Sequence, residues 1–198
     1  MKIILASQSP RRQKLLQRLD YPFDIILPDI DESILDLDCD PEQYCICLAK
    51  IKTKDISQHY PHALVIGADT IVVLENKILN KPDNRDQAEG MLNMLSGNTH
   101  QVYTGVCLKW LENDIQHTFS EITKVTFRKL DKRDILHYID TYTPYDKAGS
   151  YGIQDWSSIF VKNIQGCYDN AMGFPLSRFY QELKKLGINL LDSISELP

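Results

Sequence analysis

The stretch MKIILASQSPRRQKLLQRL, residues 1 to 19, decides the reading of the fold. Lys2 to Ala6 is a short apolar run of the kind that forms a buried strand. Ser9 and Pro10 then announce a helix, because a capping hydroxyl is followed by a residue whose fixed φ and missing N–H suit the first turn. That helix is expected to run through Leu19, with Leu15, Leu16 and Leu19 turned inward. Strand, polar turn, helix is the opening unit of an α/β domain.

Outward from this opening the alternation continues. Asp40, Pro41 and Gln43 resemble a capping box, and Tyr44, Cys47, Leu48 and Ile51 keep helical spacing to about Ile56. ALVIGA at 63–68 reads as a buried strand that Asp69 interrupts or ends, with IVVL at 71–74 resuming extended character. Ala88, Met91, Leu92 and Leu95 predict a third helix stopped by Gly97. Val102, Val106, Leu108 and Trp110 share one side of an extended segment. After the turn Glu112-Asn113-Asp114 a second run reaches Phe127, a long antiparallel hairpin. Asp131 caps a helix with Ile135, Tyr138, Ile139 and Tyr142 inward, and Pro144 ends it before a polar, glycine-containing loop. Ile159, Val161 and Ile164 make a late strand. Pro175 opens a last helix with Leu176, Phe179, Tyr180, Leu183 and Leu186 inward and Gly187 at its end. No repeat, biased tract or linker breaks the series, so residues 1–198 are expected to form a single domain. With 43% hydrophobic residues, a chain of 198 can bury one sizeable core.

Composition removes several functions. A net charge of -5 gives no basic footprint for nucleic acid, so phosphate binding would need a local cluster. Charged residues break every apolar run before the roughly 18 residues of a membrane span, and the N-terminal run is too short for a signal peptide. A soluble, cytoplasmic protein with no membrane partner is the expectation. Cys39, Cys45, Cys47, Cys107 and Cys167 form no CxxC pair, and their odd number argues against a full disulfide framework, so reduced thiols fit.

Candidate chemistry is concentrated at a few places. Ser7-Gln8-Ser9-Pro10-Arg11-Arg12 lies between strand and helix, where hydroxyls, guanidiniums and helix-start N–H groups could converge on an anion. The same residues also read as a plain cap with two surface arginines. Asp69 follows an apolar strand, where a carboxylate is costly unless it is hydrogen-bonded, binds a metal or acts as a base; capping a turn with Thr70 is the other reading. Lys81-Pro82 follows shortly. Lys147 to Gln154 (KAGSYGIQ) is a glycine-bearing loop with a cation and an amide, suited to close approach to a ligand. The acidic stretch 29–40 fails as an EF-hand, since Pro41 and Cys47 stand where glycine and glutamate are needed. Glu32 is its one residue held back as a metal or water ligand. The five histidines form no metal-binding pair.

Taken together, SQSPRR at 7–12, GADTIVV at 67–73, NKP at 80–82, LSGNTHQVYTGV at 95–106, and DKAGSYGIQ with GCYDNAMGFPL between 146 and 176 resemble the Maf family of nucleotide pyrophosphatases. The motifs span nearly the whole chain in the family's order. The resemblance implies a mixed α/β sheet flanked by helices, with two lobes around a central cleft, similar to inosine-triphosphate pyrophosphatases. It also implies a homodimer, a nucleoside triphosphate substrate, and a divalent metal, Mg2+ or Mn2+. Asp69-Thr70 and YGIQ at 151–154 look like the branch acting on dTTP and UTP; a 7-methyl-GTP or other modified-nucleotide enzyme, or a nucleotide-binding regulator of division without turnover, are the alternatives. Carried over by position, Asp69 matches the proton acceptor, and Arg11, Thr70 and Gln154 match positions of substrate choice. Ser7, Arg12, Glu32, Lys52 and Lys81 match further polar cleft positions, Glu32 helping Asp69 hold the metal. Asn80 stands where the family commonly has the glycine of GKP.

Overall fold

A computed structural model describes residues 1–30 and 40–191. The chain folds as β1 (Lys2–Ala6), α1 (Pro10–Gln17), β2 (Asp24–Ile25), α2 (Pro41–His59), β3 (Ala63–Leu74), β4 (Lys77–Leu79) and α3 (Arg85–Leu95). It continues with β5 (Thr99–Trp110), β6 (Ile115–Phe127), α4 (Lys132–Tyr142), three short 3-10 turns, β7 (Val161–Gln165), α5 (Tyr168–Met172) and α6 (Leu176–Lys185). The strand order is β2-β1-β3-β5-β6-β7, with β4 also pairing with β3. Parallel pairing at β1 and antiparallel pairing at β4 and β7 make this a mixed sheet accompanied by helices, the α/β class read from the sequence.

The chain divides into two compact units. The first holds Met1–Asp69, Thr104–Glu121 and the segment from Gly173 onward; the second holds Thr70–Tyr103 and Ile122–Met172. In the first unit β1 lies parallel to β3 from Lys2 opposite Ala63 to Ala6 opposite Gly67, the arrangement a strand–helix–strand crossover produces. Ile4, Ala6, Ile56, Ala63 and Val65 pack into one buried cluster, so one side of α2 is buried against these parallel strands. In the second unit β4 folds back on β3, with Glu75 and Asn76 both at positive φ in the connecting turn, the backbone a two-residue hairpin demands.

Several boundaries differ from the sequence reading. β3 is continuous from Ala63 to Leu74, so Asp69 neither ends nor interrupts it. The reason is chemical: the carboxylate is partnered inside the fold, as described below, and so does not force the strand to break. α1 stops at Gln17 and leaves Leu19 half-buried rather than on the inner face, the chain turning at Asp20 with φ 52°. Tyr142 and Ile159 are exposed, Ile159 in a 3-10 turn ahead of β7, and Tyr180 and Leu186 are only partly buried. The two-residue β2, the three-residue β4 and the five-residue α5 are too short to leave a periodic signal.

Candidate active site

Because β1 and β3 run parallel with Ala6 opposite Gly67, Ser7, just past the end of β1, and Asp69, inside the longer β3, come side by side on adjacent strands. The carboxyl end of a parallel strand such as β1 is where open α/β sheets place their ligands. Ser9 caps α1, its hydroxyl accepting from the Arg12 backbone N–H at 3.5 Å, and the Ser7 hydroxyl accepts from the Ser9 N–H at 3.2 Å. The first helical turn carries Arg12 inward rather than to the surface: it is 8% exposed, its Nε–H donates to the Gly173 carbonyl at 2.9 Å, and a terminal N–H donates to the Ser7 hydroxyl at 3.0 Å. The cap reading and the inward guanidinium are therefore both present, and the surface-arginine reading of Arg12 is wrong. Only half of that reading survives, in Arg11, which is partly exposed.

Asp69 meets Lys52 of α2, whose Nζ lies 2.6 Å from Oδ1. Both residues are more than nine-tenths buried. Glycines allow the approach. A Cβ on Gly67 would stand 2.6 Å from the Ala49 carbonyl oxygen and 2.8 Å from the Thr53 methyl, and one on Gly105 would stand 2.5 Å from the backbone of Cys45 and Ile46. α2 thus rests directly on the backbone of β3 and β5. Gly67 shares a strand face with Asp69 two residues on, so the same contact that seats Thr53 delivers Lys52 to the carboxylate. Near it, burial first and the negative charges of Asp69 and Glu42 next push the Cys45 thiol well above its ordinary pKa, so it stays protonated and is no nucleophile.

Thr70, Lys81, Lys147 and Gln154 belong to the second unit. Thr70 is partly buried, and Lys81 and Gln154 are exposed. Lys147 bonds Asp146 at 2.6 Å. Its Cε and the Gln154 amide nitrogen both lie 3.0 Å from where a Gly152 Cβ would be, with the Asp155 carboxylate at 2.7 Å. Gly152 is thus the floor on which the Lys147 stem and the Gln154 amide meet, and a side chain there would displace them.

The structure brings together Ser7 with Arg12, Lys52 with Asp69, and Lys147 with Gln154. Glu32 lies outside the described residues, as does most of the acidic stretch. Among the described residues no group of three His, Cys, Asp or Glu side chains is placed to hold a metal. No described helix is long and apolar enough to cross a membrane. Sequence reasoning missed the structural roles of Gly67 and Gly105, although glycine inside an apolar strand is itself a sign of close backbone approach. It also missed the Gly173 carbonyl as a partner of Arg12, 161 residues away, for which no local signal exists.

The model of the family described as Maf-like protein matches residues 2–186. A protein of Carboxydothermus hydrogenoformans named dTTP/UTP pyrophosphatase is 43% identical over 94% of this chain and 100% of its own length. One of Geobacillus sp. with the same name is 48% identical over 94% of this chain and 98% of its own. The solved dITP/XTP pyrophosphatase of Mycobacterium abscessus overlays with a TM-score of 0.44 at 14% identity over 94% of both chains, a likeness too weak to carry an argument. With a family match over almost its whole length and relatives this similar end to end, the chain belongs to the Maf family.

Proposed function

We propose that this protein hydrolyses dTTP and UTP between the α- and β-phosphates, yielding the monophosphate and pyrophosphate. The observation that supports it most is the carboxylate of Asp69, held by the buried ammonium of Lys52 on the strand beside the end of β1, where Ser7 receives the anchored Arg12. Relatives that match this chain from end to end carry the name of that activity. Cleaving a phosphoanhydride asks for cations against the phosphate charge and for an oriented water. Arg12 supplies a guanidinium whose orientation is already set. Asp69 accepts the proton of the attacking water, and Lys52 fixes the position of its carboxylate. Lys81 and Arg11 add charge for the phosphates. Thr70, Lys147 and Gln154 serve substrate choice, Gln154 offering an amide that both donates and accepts, as the imide edge of thymine or uracil requires.

A magnesium or manganese ion fits this donor set if it arrives on the substrate. Such ions need only one or two protein carboxylates beside phosphate oxygens and water, so Asp69, with Glu32 as a second donor, suffices. When bound, the ion would neutralise and orient the phosphates. A homodimer working in the cytoplasm belongs to the same reading, and light scattering of the purified protein tests the dimer.

Product analysis decides the reaction. With dTTP or UTP and magnesium, the monophosphate and pyrophosphate are expected in equal amounts; a diphosphate with orthophosphate places cleavage at the wrong bond and defeats the reading. A panel that includes 7-methyl-GTP and methylated pyrimidine nucleotides is expected to rank dTTP and UTP first.

A further inference from the structure

Tyr138, in the middle of α4, is fully buried, and its ring is already well held. It stacks on Tyr142 and Trp156 at centroid distances of 5.3 and 6.2 Å and meets Phe160 edge-on at 5.6 Å. Phenylalanine would fill the same space. What the hydroxyl adds is two hydrogen bonds, both to one short loop. It donates to Asp155 Oδ2 at 3.1 Å and accepts from the Gly152 N–H at 3.1 Å. Burial, reinforced by the charge of Asp155, raises the pKa of this phenol, so the proton needed for the donation is always present.

The loop is braced from its other end by Ser157. Its N–H donates to Asp155 Oδ1 at 3.0 Å, and its hydroxyl lies 2.8 Å from the Gly152 carbonyl and 2.9 Å from Asp155 Oδ1. The Asp155 N–H closes the turn on the Gly152 carbonyl at 2.9 Å. Residues 152 to 157 therefore form a small hydrogen-bonded ring, and the residue at its tip is Gln154. Inside the ring, the Asp155 carboxylate, the Gln154 amide nitrogen and the Lys147 Cε crowd the space that a Cβ on Gly152 would take, at 2.7, 3.0 and 3.0 Å. A shift of the ring would carry Gln154 and Lys147 with it.

We propose that Tyr138 is a positioning residue for substrate choice, its hydroxyl clamping the Gly152–Ser157 loop so that the loop presents its nucleobase-reading groups in one fixed pose. The proposal rests on the nucleotide-hydrolysing reading of this chain, and it assigns to α4 a role that its sequence, an amphipathic helix with an inward tyrosine, does not announce. The Tyr138 hydroxyl touches neither substrate nor reacting atoms, so its effect should fall on discrimination and KM.

The test measures kcat and KM of the full-length protein for dTTP, UTP and CTP in Tyr138→Phe, Gln154→Ala and the double variant, with thermal unfolding of each. Tyr138→Phe is expected to lower the preference for dTTP and UTP over CTP by about tenfold, through KM, while kcat at saturation changes less than about twofold. On a Gln154→Ala background the same change should cost little further preference. If Tyr138→Phe keeps the full preference, or loses kcat and preference only in step with stability, the proposal is overturned. The Gln154→Ala protein speaks separately: unchanged ranking there removes Gln154 as the reader of the base, whatever Tyr138→Phe does. Should Tyr138→Phe not fold, Ser157→Ala cuts the same ring without touching the aromatic stack and is held to the same two outcomes.

Discussion

Asp69 and Lys52 form an ion pair at 2.6 Å with both partners more than nine-tenths buried, so each depends on the other. Removing one charge from such a pair typically costs roughly 3–5 kcal/mol, because the remaining charge is left without its partner in a poor solvent. Asp69→Asn should therefore lose both stability and, if the carboxylate is the proton acceptor, about 10²–10⁴-fold in kcat. The two losses separate in the double variant Asp69→Asn with Lys52→Met, where no unpaired charge remains. Its unfolding midpoint is expected to recover much of the loss while pyrophosphate release stays as low as in Asp69→Asn. Recovery of activity along with stability would reduce Asp69 to a structural partner of Lys52. His100 gives a second prediction at this scale. Burial lowers its pKa from 6.5 to about 4, and its Nε2 bonds the Tyr151 hydroxyl at 2.7 Å. Since the unfolded chain takes up the proton first, stability should fall as pH drops from about 6.5 toward about 4. His100→Gln, which does not titrate, should flatten unfolding free energy against pH across that window; an unchanged slope would assign the effect to other groups.

At the scale of elements, the site depends on how closely α2 can lie on the sheet. Its amphipathic pattern places a helix over the strands, but the separation is set by Gly67 and Gly105, where any side chain would meet backbone atoms at about 2.5–2.6 Å. Backbone cannot swing aside as a long side chain can, so Gly67→Ala must lift α2 and with it Lys52. A cost of about 1–3 kcal/mol is expected, typical of overpacking. Turnover should fall further than that destabilisation explains, measured at a temperature where the variant is fully folded. Gly90 of α3, whose Cβ would meet nothing within 4 Å, is the control: Gly90→Ala should be neutral or stabilising. The helix readings held where cap and period agreed. Ser9, Asp40 and Asp131 each cap the helix that follows with a side-chain oxygen. α1 instead stops before Leu19, because that helix end is decided by what the next residues pack against, while α6 ends as expected, with its C-cap at Leu186 and Gly187 following at φ 74°.

For the whole molecule, the proposed reading brings the cation in on the nucleotide rather than holding it at a preformed site. A chelator should then abolish turnover while leaving the thermal midpoint of the substrate-free protein unchanged, because an ion stabilises a fold only by binding it. Differential scanning calorimetry with and without magnesium checks this, and a shift of several degrees would instead indicate a resident metal site.

The α/β alternation, the caps, and the places where chemistry could sit, including Ser7, Arg12, Asp69 and the loop from Lys147 to Gln154, are legible in the order of amino acids. These are local properties, carried by periodicity, turn chemistry and the cost of a carboxylate after an apolar strand. The family resemblance added Lys52 by position, which as one lysine among several on a helix has no distinguishing local signal. Tertiary structure alone decided which candidates meet. Whether Asp69 breaks its strand depends on an ammonium 17 residues away, whether Arg12 faces water depends on a carbonyl 161 residues away, and whether Gln154 is held depends on a hydroxyl of α4. Each is a pairing of polar groups in a low-dielectric interior, where a partner changes the sign of the burial energy, and no pattern within a single segment encodes that partner.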